Sequence, residues 1–478
     1  MISLSLAEVA AIVGGQPHDI PDLDARITGP VVIDSREVRP GGLFAAFVGE
    51  RVDGHDYAER AVADGAVAVL ATRPVGVPAL VVDDVVAALG ALARAVVERL
   101  GARVVGLTGS AGKTSTKDLI AQLLERHGPT VWTPGSFNNE IGMPLTALRA
   151  EDTTRHLVLE MGARGIGHIR YLAELTPPHI GLVLNVGTAH IGEFGGREQI
   201  AQAKGELVEV LPAADAGGVA VLNADDPLVR AMATRTQAEV VLFGETSEAH
   251  VRAENVRLTD LGQPSFTLHT PTGCGDVTMR LYGEHHVSNA LAAAAVAHVL
   301  GMSAPEIADA LSEAGQLSRW RMEVTERADG VTIVNDAYNA NPESMRAALR
   351  ALVAMGSARR AQGGRTWAVL GQMAELGEES LAEHDAVGRL AVRLNVSKLV
   401  AVGGQEAAWL DMGAKNEGSW GEESVHVSDA RAAVELLRTE LRPGDIALVK
   451  ASRSVGLEQV AAELLREPGT AEGEGAGR

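Results

Sequence analysis

The chain has 478 residues, enough for two to four domains, and 46% of them are hydrophobic. A formal net charge of −20 excludes a broad nucleic-acid-binding face, which needs a basic footprint, and leaves anionic small substrates open where local cations gather. The single cysteine, Cys274, excludes an intramolecular disulfide and a cysteine-based zinc site.

The N-terminus lacks a basic region followed by an apolar core, and no apolar run approaches ~20 residues. No targeting or membrane-inserting segment is expected, and the protein reads as cytoplasmic. Residues 4–13 read as an amphipathic helix. Short strands follow at 31–33, 43–48, 66–70 and 79–82, between helical patterns. They form a first block, 1–98. A second block, 99–315, carries strands at 157–159, 180–184 and 219–222. Residues 272–276, around Cys274, read as a hairpin turn. The third block, 316–466, has strands at 331–334, 367–370, 399–402 and 446–449. From 467 to 478, Pro, Gly, Thr and Glu dominate, so a disordered tail is expected. Apolar strands alternating with glycine turns and helices indicate an α/β protein.

The second block opens on a strand, a glycine turn and a helix: Val104-Val105-Gly106-Leu107-Thr108, then Gly109-Ser110-Ala111-Gly112, then Lys113-Thr114-Ser115. Glycines let backbone N–H groups face a phosphate chain, and the helix N-terminus adds its positive dipole. Lys113 can reach the β- and γ-phosphates and the Thr114 hydroxyl can bind Mg²⁺. This pattern points to ATP or GTP. The guanine-selecting Asn-Lys-x-Asp motif is absent, which weakens a GTPase reading.

Only six of the 42 basic residues are lysines: Lys113, Lys117, Lys204, Lys398, Lys415 and Lys450. A chain that supplies surface charge with arginine invites scrutiny of lysines inside motifs, because guanidinium cannot do the chemistry of a neutral amine. Polar residues also cluster just past apolar runs: Glu160, Asn185, Asn223, Asp336, Gly371 and Lys450. In parallel α/β sheets, ligands bind beyond the strand carboxyl ends. Glu160 there is a candidate metal ligand. His190, in 185–192, taken alone is a loop histidine, and Lys204 taken alone is a solvated helix lysine. Asn223 to Pro227 reads as a helix cap. His285 and His286 open an alanine-rich helix, and adjacent helix positions point about 100° apart, against a shared ion. Asn341 as N-cap with Pro342 in the first turn is a strong helix start, which leaves Asp336, Tyr338 and Asn339 unexplained. Lys450-Ala451-Ser452-Arg453-Ser454 suits a carboxylate or phosphate.

In this order the motifs resemble the Mur ligase family of ATP-dependent peptide-bond-forming enzymes over nearly the whole chain. Particular segments carry the likeness: Asp34-Ser35-Arg36, Gly41-Gly42-Leu43-Phe44, Asp53-Gly54-His55, 138–144, 336–342, 370–377 with His384, and 450–454. They narrow it to the member that joins D-alanyl-D-alanine to UDP-N-acetylmuramoyl-tripeptide through an acyl phosphate. A folate-processing ligase of the same superfamily, an enzyme of an earlier Mur step and a slow nucleotide switch are the alternatives.

The resemblance implies three domains: an N-terminal uridine-nucleotide domain, a central P-loop ATPase with a mostly parallel sheet, and a C-terminal Rossmann-like domain. It places Ser35 and Arg36 at the uridine-nucleotide end and Asn138 and Asn139 near the muramoyl peptide. Lys113 and Thr114 would hold ATP and Mg²⁺, with Glu160 on one metal. His190 and Lys204, the latter as carbamyl-lysine, would serve a second. Asn289, Arg321 and Asp336 would contact the nucleotide, and Asn339, Lys450, Ser452 and Arg453 the incoming dipeptide. Ala111 and His286 stand where asparagine is common among relatives. A monomer is expected.

Overall fold

A computed structural model describes residues 1–49, 52–188, 191–419 and 421–466. His190 and the tail 467–478 lie outside the described residues.

The fold is α/β, built around three sheets that are mostly parallel. In the first, Gln16–His18, Ala79–Val81, Ala66–Ala71, Gly42–Ala45 and Val31–Val32 lie side by side in that order, antiparallel only at the first pair. The central sheet has nine strands. Thr130–Trp132, His156–Glu160, Arg103–Thr108, Ile180–Val183, Val219–Asn223, Glu239–Gly244 and Val251–Leu258 run parallel. Pro264–Thr270 and Gly273–Thr278 extend it as an antiparallel hairpin. In the third sheet the order is Glu323–Glu326, Thr332–Asn335, Ile446–Lys450, Thr366–Leu370, Lys398–Val402 and Ser424–Val427, antiparallel only at the first pair.

Strand chemistry follows from this layering. His156–Glu160 and Ile446–Lys450 are buried at every position, as parallel strands covered on both faces must be. Their apolar runs end in Glu160 and Lys450, so each strand delivers one charged group to its carboxyl end. In the central sheet Arg103–Thr108 sits between strands that follow it in sequence, and in the third Ile446–Lys450 sits between two that precede it. Both are points where strand order reverses and a crevice opens.

The alanine-rich helix His286–Val299 is buried on nearly all sides. Its small side chains let it lie directly on the helix Lys113–Glu125 and the strand Glu239–Gly244. Leu119, Ile120, Leu123 and Leu124 fill that junction. Truncating such a leucine costs about 2–5 kcal/mol, so the phosphate-loop helix is anchored by its apolar face. Helix Pro342–Arg360 starts as expected: Asn341 Oδ1 accepts from Ser344 N at 2.8 Å and proline stands in the first turn. Asp226 likewise caps Pro227–Arg230, accepting from Leu228 N and Val229 N.

Some boundaries move for local reasons. The first helix is Leu6–Val13 rather than 4–13, because Ser5 and Glu8 close a capping box and Leu4–Ser5 pairs with Arg26–Ile27. The strand at 43–48 ends at Ala45, since Val48 turns away to bridge Asp53. Cys274 is not in a turn. It lies in the strand Gly273–Thr278 opposite His269 and is exposed, the reversal coming just before it.

Candidate active site

The crevices at the two reversal points face each other across one cavity of about 470 Å³, lined by the phosphate loop on one side and by residues around Asp336 and Lys450 on the other. The loop between Arg103–Thr108 and Lys113–Glu125 is shaped by Asn185, just past the strand Ile180–Val183. Asn185 Oδ1 accepts from Ser110 N at 3.0 Å and Ala111 N at 2.9 Å, and its amide donates to the Ala111 carbonyl at 3.0 Å. Those two amides are therefore engaged within the protein. Anion binding is left to the helix N-terminus, where Gly112 has φ +82° and no side chain caps the first turn. A Cβ on Gly112 would stand 2.6 Å from Asn289 Oδ1, which places Asn289 against the loop. Ser115 lines the cavity with them; Gly109 lies behind it, and its carbonyl accepts from Lys113 Nζ at 2.8 Å. Burial pushes the Lys113 amine below its ordinary value, against the pull of Glu160.

Beside the loop, Thr114 and Glu160 form a pair of oxygen donors. The Thr114 hydroxyl donates to Glu160 Oε2 at 3.0 Å and accepts from Arg321 Nη2 at 3.2 Å. Asn138 Nδ2 donates to Glu160 Oε1 at 2.7 Å, so the carboxylate is held from both sides. Asn139 uses its side-chain oxygen to accept from Gly142 N at 2.9 Å, starting the helix Gly142–Ala147, and keeps its amide for the cavity. A hydroxyl and a carboxylate are hard donors, and magnesium takes one or two carboxylates plus substrate phosphates rather than a protein cage. Among the described residues no cluster of three or more His, Cys, Asp or Glu could hold an ion. The donors present therefore fit Mg²⁺ arriving with a nucleotide.

Lys204 is not a solvated helix lysine. On the helix Arg197–Glu209 it is only 4% exposed and borders the cavity, with no hydrogen bond or ion pair to its amine among the described residues. Burial, then the nearby Lys113 charge, drives its amine well below its ordinary value. His285 and His286 also border the cavity with ring centroids 4.3 Å apart. Burial lowers both, His285 to about 4, so both rings are neutral near pH 7.

The opposite wall turns on a buried ion pair. Lys450 Nζ lies 2.7 Å from Asp336 Oδ2 and donates to the Asn339 carbonyl at 2.8 Å. Asp336 Oδ1 accepts from Met322 N at 3.0 Å. The Asn339 side chain accepts from Ala340 N at 2.8 Å. Asn341 Nδ2 reaches the Ser110 carbonyl at 3.3 Å, while Glu343 Oε1 accepts from Thr188 N and Oγ1 at 2.8 and 2.9 Å. Ser136 hydrogen-bonds Tyr338, over whose ring the Arg321 guanidinium lies at 4.3 Å. These contacts close the cavity from two sheets.

Three groups of candidates stand elsewhere. Ser452 is buried behind the wall, accepting from Ala374 N at 2.8 Å. Arg453 lies over Trp320 at 4.3 Å and pairs with Glu458 at 2.6 Å. Ser35 and Arg36 belong to the first sheet's end and do not line this cavity; Arg36 hydrogen-bonds Asp34 and holds that carboxyl down to about 2. Ser136 and Glu343 also line the cavity without a signal in the sequence. No local pattern marks the serine, and an acid in a first helical turn looks ordinary.

Three segments match family descriptions: "Mur ligase family, catalytic domain" over 29–108, "Mur ligase middle domain" over 107–297, and "Mur ligase, glutamate ligase domain" over 320–453. The chain is 51% identical to a UDP-N-acetylmuramoyl-tripeptide–D-alanyl-D-alanine ligase of Mycobacterium tuberculosis H37Rv, covering 98% of both. With the ligase of that name from Escherichia coli K12 it is 37% identical, over 98% of this chain and 100% of the other. Among solved structures, MurF from Acinetobacter baumannii superposes with a TM-score of 0.85 at 32% identity, covering 97% and 99% of the two chains. MurF ligase from Thermotoga maritima, in complex with ADP, gives 0.78 at 30%, covering 91% and 97%.

Proposed function

The chain belongs to the Mur ligase family, and from that premise we propose that it joins D-alanyl-D-alanine to UDP-N-acetylmuramoyl-tripeptide using ATP. The observation that carries the reading is the single cavity in which a phosphate loop, a held carboxylate and a buried Lys450–Asp336 pair converge. The product is the UDP-linked pentapeptide, a peptidoglycan precursor.

The tripeptide's terminal carboxylate attacks the ATP γ-phosphorus, and the bond to ADP breaks, giving an acyl phosphate. The uncharged amine of D-alanyl-D-alanine then attacks the acyl carbon, and the tetrahedral adduct collapses with loss of phosphate. A carboxylate approaching a triphosphate meets like charge, so positioning and charge compensation dominate. Lys113, the helix N-terminus at Gly112 to Ser115 and Arg321 supply fixed positive groups there. Thr114 and Glu160 would hold one Mg²⁺, and His190 and Lys204 a second, with Lys204 as its carbamate. Bound Mg²⁺ neutralises phosphate charge and orients the transferring group. Carbon dioxide modifies the neutral amine, and burial favours that form of Lys204, which supports this role.

Asn289 and Asp336 contact the nucleotide, Asn138 and Asn139 the acceptor peptide. Asn339, Lys450, Ser452 and Arg453 belong to the dipeptide end; Ser452 acts from behind the wall through Ala374 and Ala340. Ser35 and Arg36 take the uridine nucleotide, outside the cavity. On this reading the working units are 1–98, 99–315 and 316–466, in a cytoplasmic monomer. No helix among the described residues is long and apolar enough to cross a membrane.

Phosphate release measured with ATP, Mg²⁺ and the UDP-tripeptide, adding D-alanyl-D-alanine, single amino acids or folate in turn, tests the substrates. Release that depends on the dipeptide is expected. Release driven by another acceptor alone keeps the ligase chemistry and overturns these substrates.

A further inference from the structure

Lys117 is the motif lysine that nucleotide binding leaves unused. It stands one turn after Lys113 in the phosphate-loop helix, yet it is fully buried and absent from the cavity wall. Its ammonium has three N–H groups, and three acceptors meet it: the Thr133 carbonyl at 2.8 Å, the Gly135 carbonyl at 3.1 Å and the Ser318 hydroxyl at 3.4 Å. Asp118 Oδ1 lies 2.7 Å away, approached too obliquely for a hydrogen bond, so that contact is an ion pair. Asp118 Oδ2 accepts from Ser318 N at 3.1 Å. One turn further on, Gln122 brackets Gly315, donating to its carbonyl at 3.0 Å and accepting from its N–H at 2.9 Å.

Each contacted segment leads to a group already placed in the site. Thr133 to Gly135 continues into Ser136 and Asn138, the latter holding Glu160. Gly315 to Ser318 continues into Arg321, which reaches Thr114. Arg321 is flanked by Trp320 at φ +59° and Met322 at φ +53°, left-handed conformations that residues with a Cβ avoid. A segment bent in this way keeps its shape only where its surroundings fix it. The fixing groups are Glu323 on Trp320 N, Asp336 on Met322 N and, upstream, the helix residues Asp118 and Gln122.

We propose that Lys117 and Asp118 are positioning residues: one buried ion pair locks the nucleotide helix, the acceptor-peptide wall at Asn138 and the linker bearing Arg321 into one register. The inference rests on the ligase reading above. It assigns to Lys117 no contact with substrate, and it explains why an ammonium rather than a guanidinium stands there: three convergent acceptors in a closed site match three N–H groups on one nitrogen.

The test is steady-state and binding measurement on Lys117→Met, alone and combined with Arg321→Ala. Expected is a fall in kcat of at least tenfold with the ADP dissociation constant within threefold of wild type. Arg321→Ala should then cost the Lys117→Met enzyme a much smaller factor than it costs the wild type, because both changes release the same contact. If Lys117→Met does not fold, Asp118→Asn removes the charge of the ion pair at nearly unchanged shape, and a fall in kcat of at least threefold at unchanged ADP affinity is expected. A folded variant with wild-type kcat, or factors that simply multiply, overturns the proposal. Failure of the ligase reading itself would show differently, as wild-type protein without acceptor-dependent phosphate release.

Discussion

Replacing Lys450 by methionine keeps the length of the side chain and removes its charge from a site 1% exposed. Asp336, itself 7% exposed, then keeps one donor, the Met322 N–H, and loses the ammonium 2.7 Å away. Breaking a buried pair by deleting one partner costs about 3–5 kcal/mol. Urea unfolding followed by tryptophan fluorescence, with Trp367 fully buried in the same sheet, reads the loss at pH 7. The double change Lys450→Met with Asp336→Asn should be less damaging than the sum of the two single changes. A loss under about 1 kcal/mol at pH 7 is what an exposed pair would give and would overturn this expectation.

Lys113→Ala removes the cation nearest the phosphate loop, and phosphate release should fall by about 10²-fold or more; uridine-nucleotide binding, measured by calorimetry, should persist. Lys204→Ala should lose activity and regain part of it with added acetate or formate, while wild type should slow in carbon-dioxide-free buffer and recover with bicarbonate. Full activity of the alanine variant without any additive would remove the carbamate from the account. Burial lowers His156 from 6.5 to about 4, so the unfolded chain binds a proton that the folded chain refuses. Its contribution is complete above about pH 6.5 and is lost as pH falls toward 4, a decline on the order of 3 kcal/mol. Acid unfolding of His156→Gln should lack that part of the slope.

What the sequence made legible was local. The loop Gly109–Gly112, the Asn341–Pro342 helix start and the strands ending in Glu160 and Lys450 each declare themselves within a few residues. Partnerships across the chain do not. Asn185 grips the loop from 74 and 75 positions away, Lys450 meets Asp336 across 114, and Lys117 reaches Ser318 across 201. Beside the hairpin turn expected at 272–276, the strands within 251–270 were not legible, because strand Val251–Leu258 has a bulge and mixed burial in place of a clean alternation. Lysine scarcity proved informative in an indirect way: Lys117, Lys204 and Lys450 are all buried, where charge has to be specified by its neighbours rather than by solvent.

The most direct test of the central claim is mass spectrometry of the product, with ADP and phosphate counted, from ATP, Mg²⁺ and UDP-N-acetylmuramoyl-tripeptide, with and without D-alanyl-D-alanine. UDP-muramoyl-pentapeptide is expected only when the dipeptide is present, in a one-to-one ratio with ADP and phosphate. Slow ATP hydrolysis indifferent to either acceptor, with no pentapeptide formed, would contradict it and leave a nucleotide switch in its place.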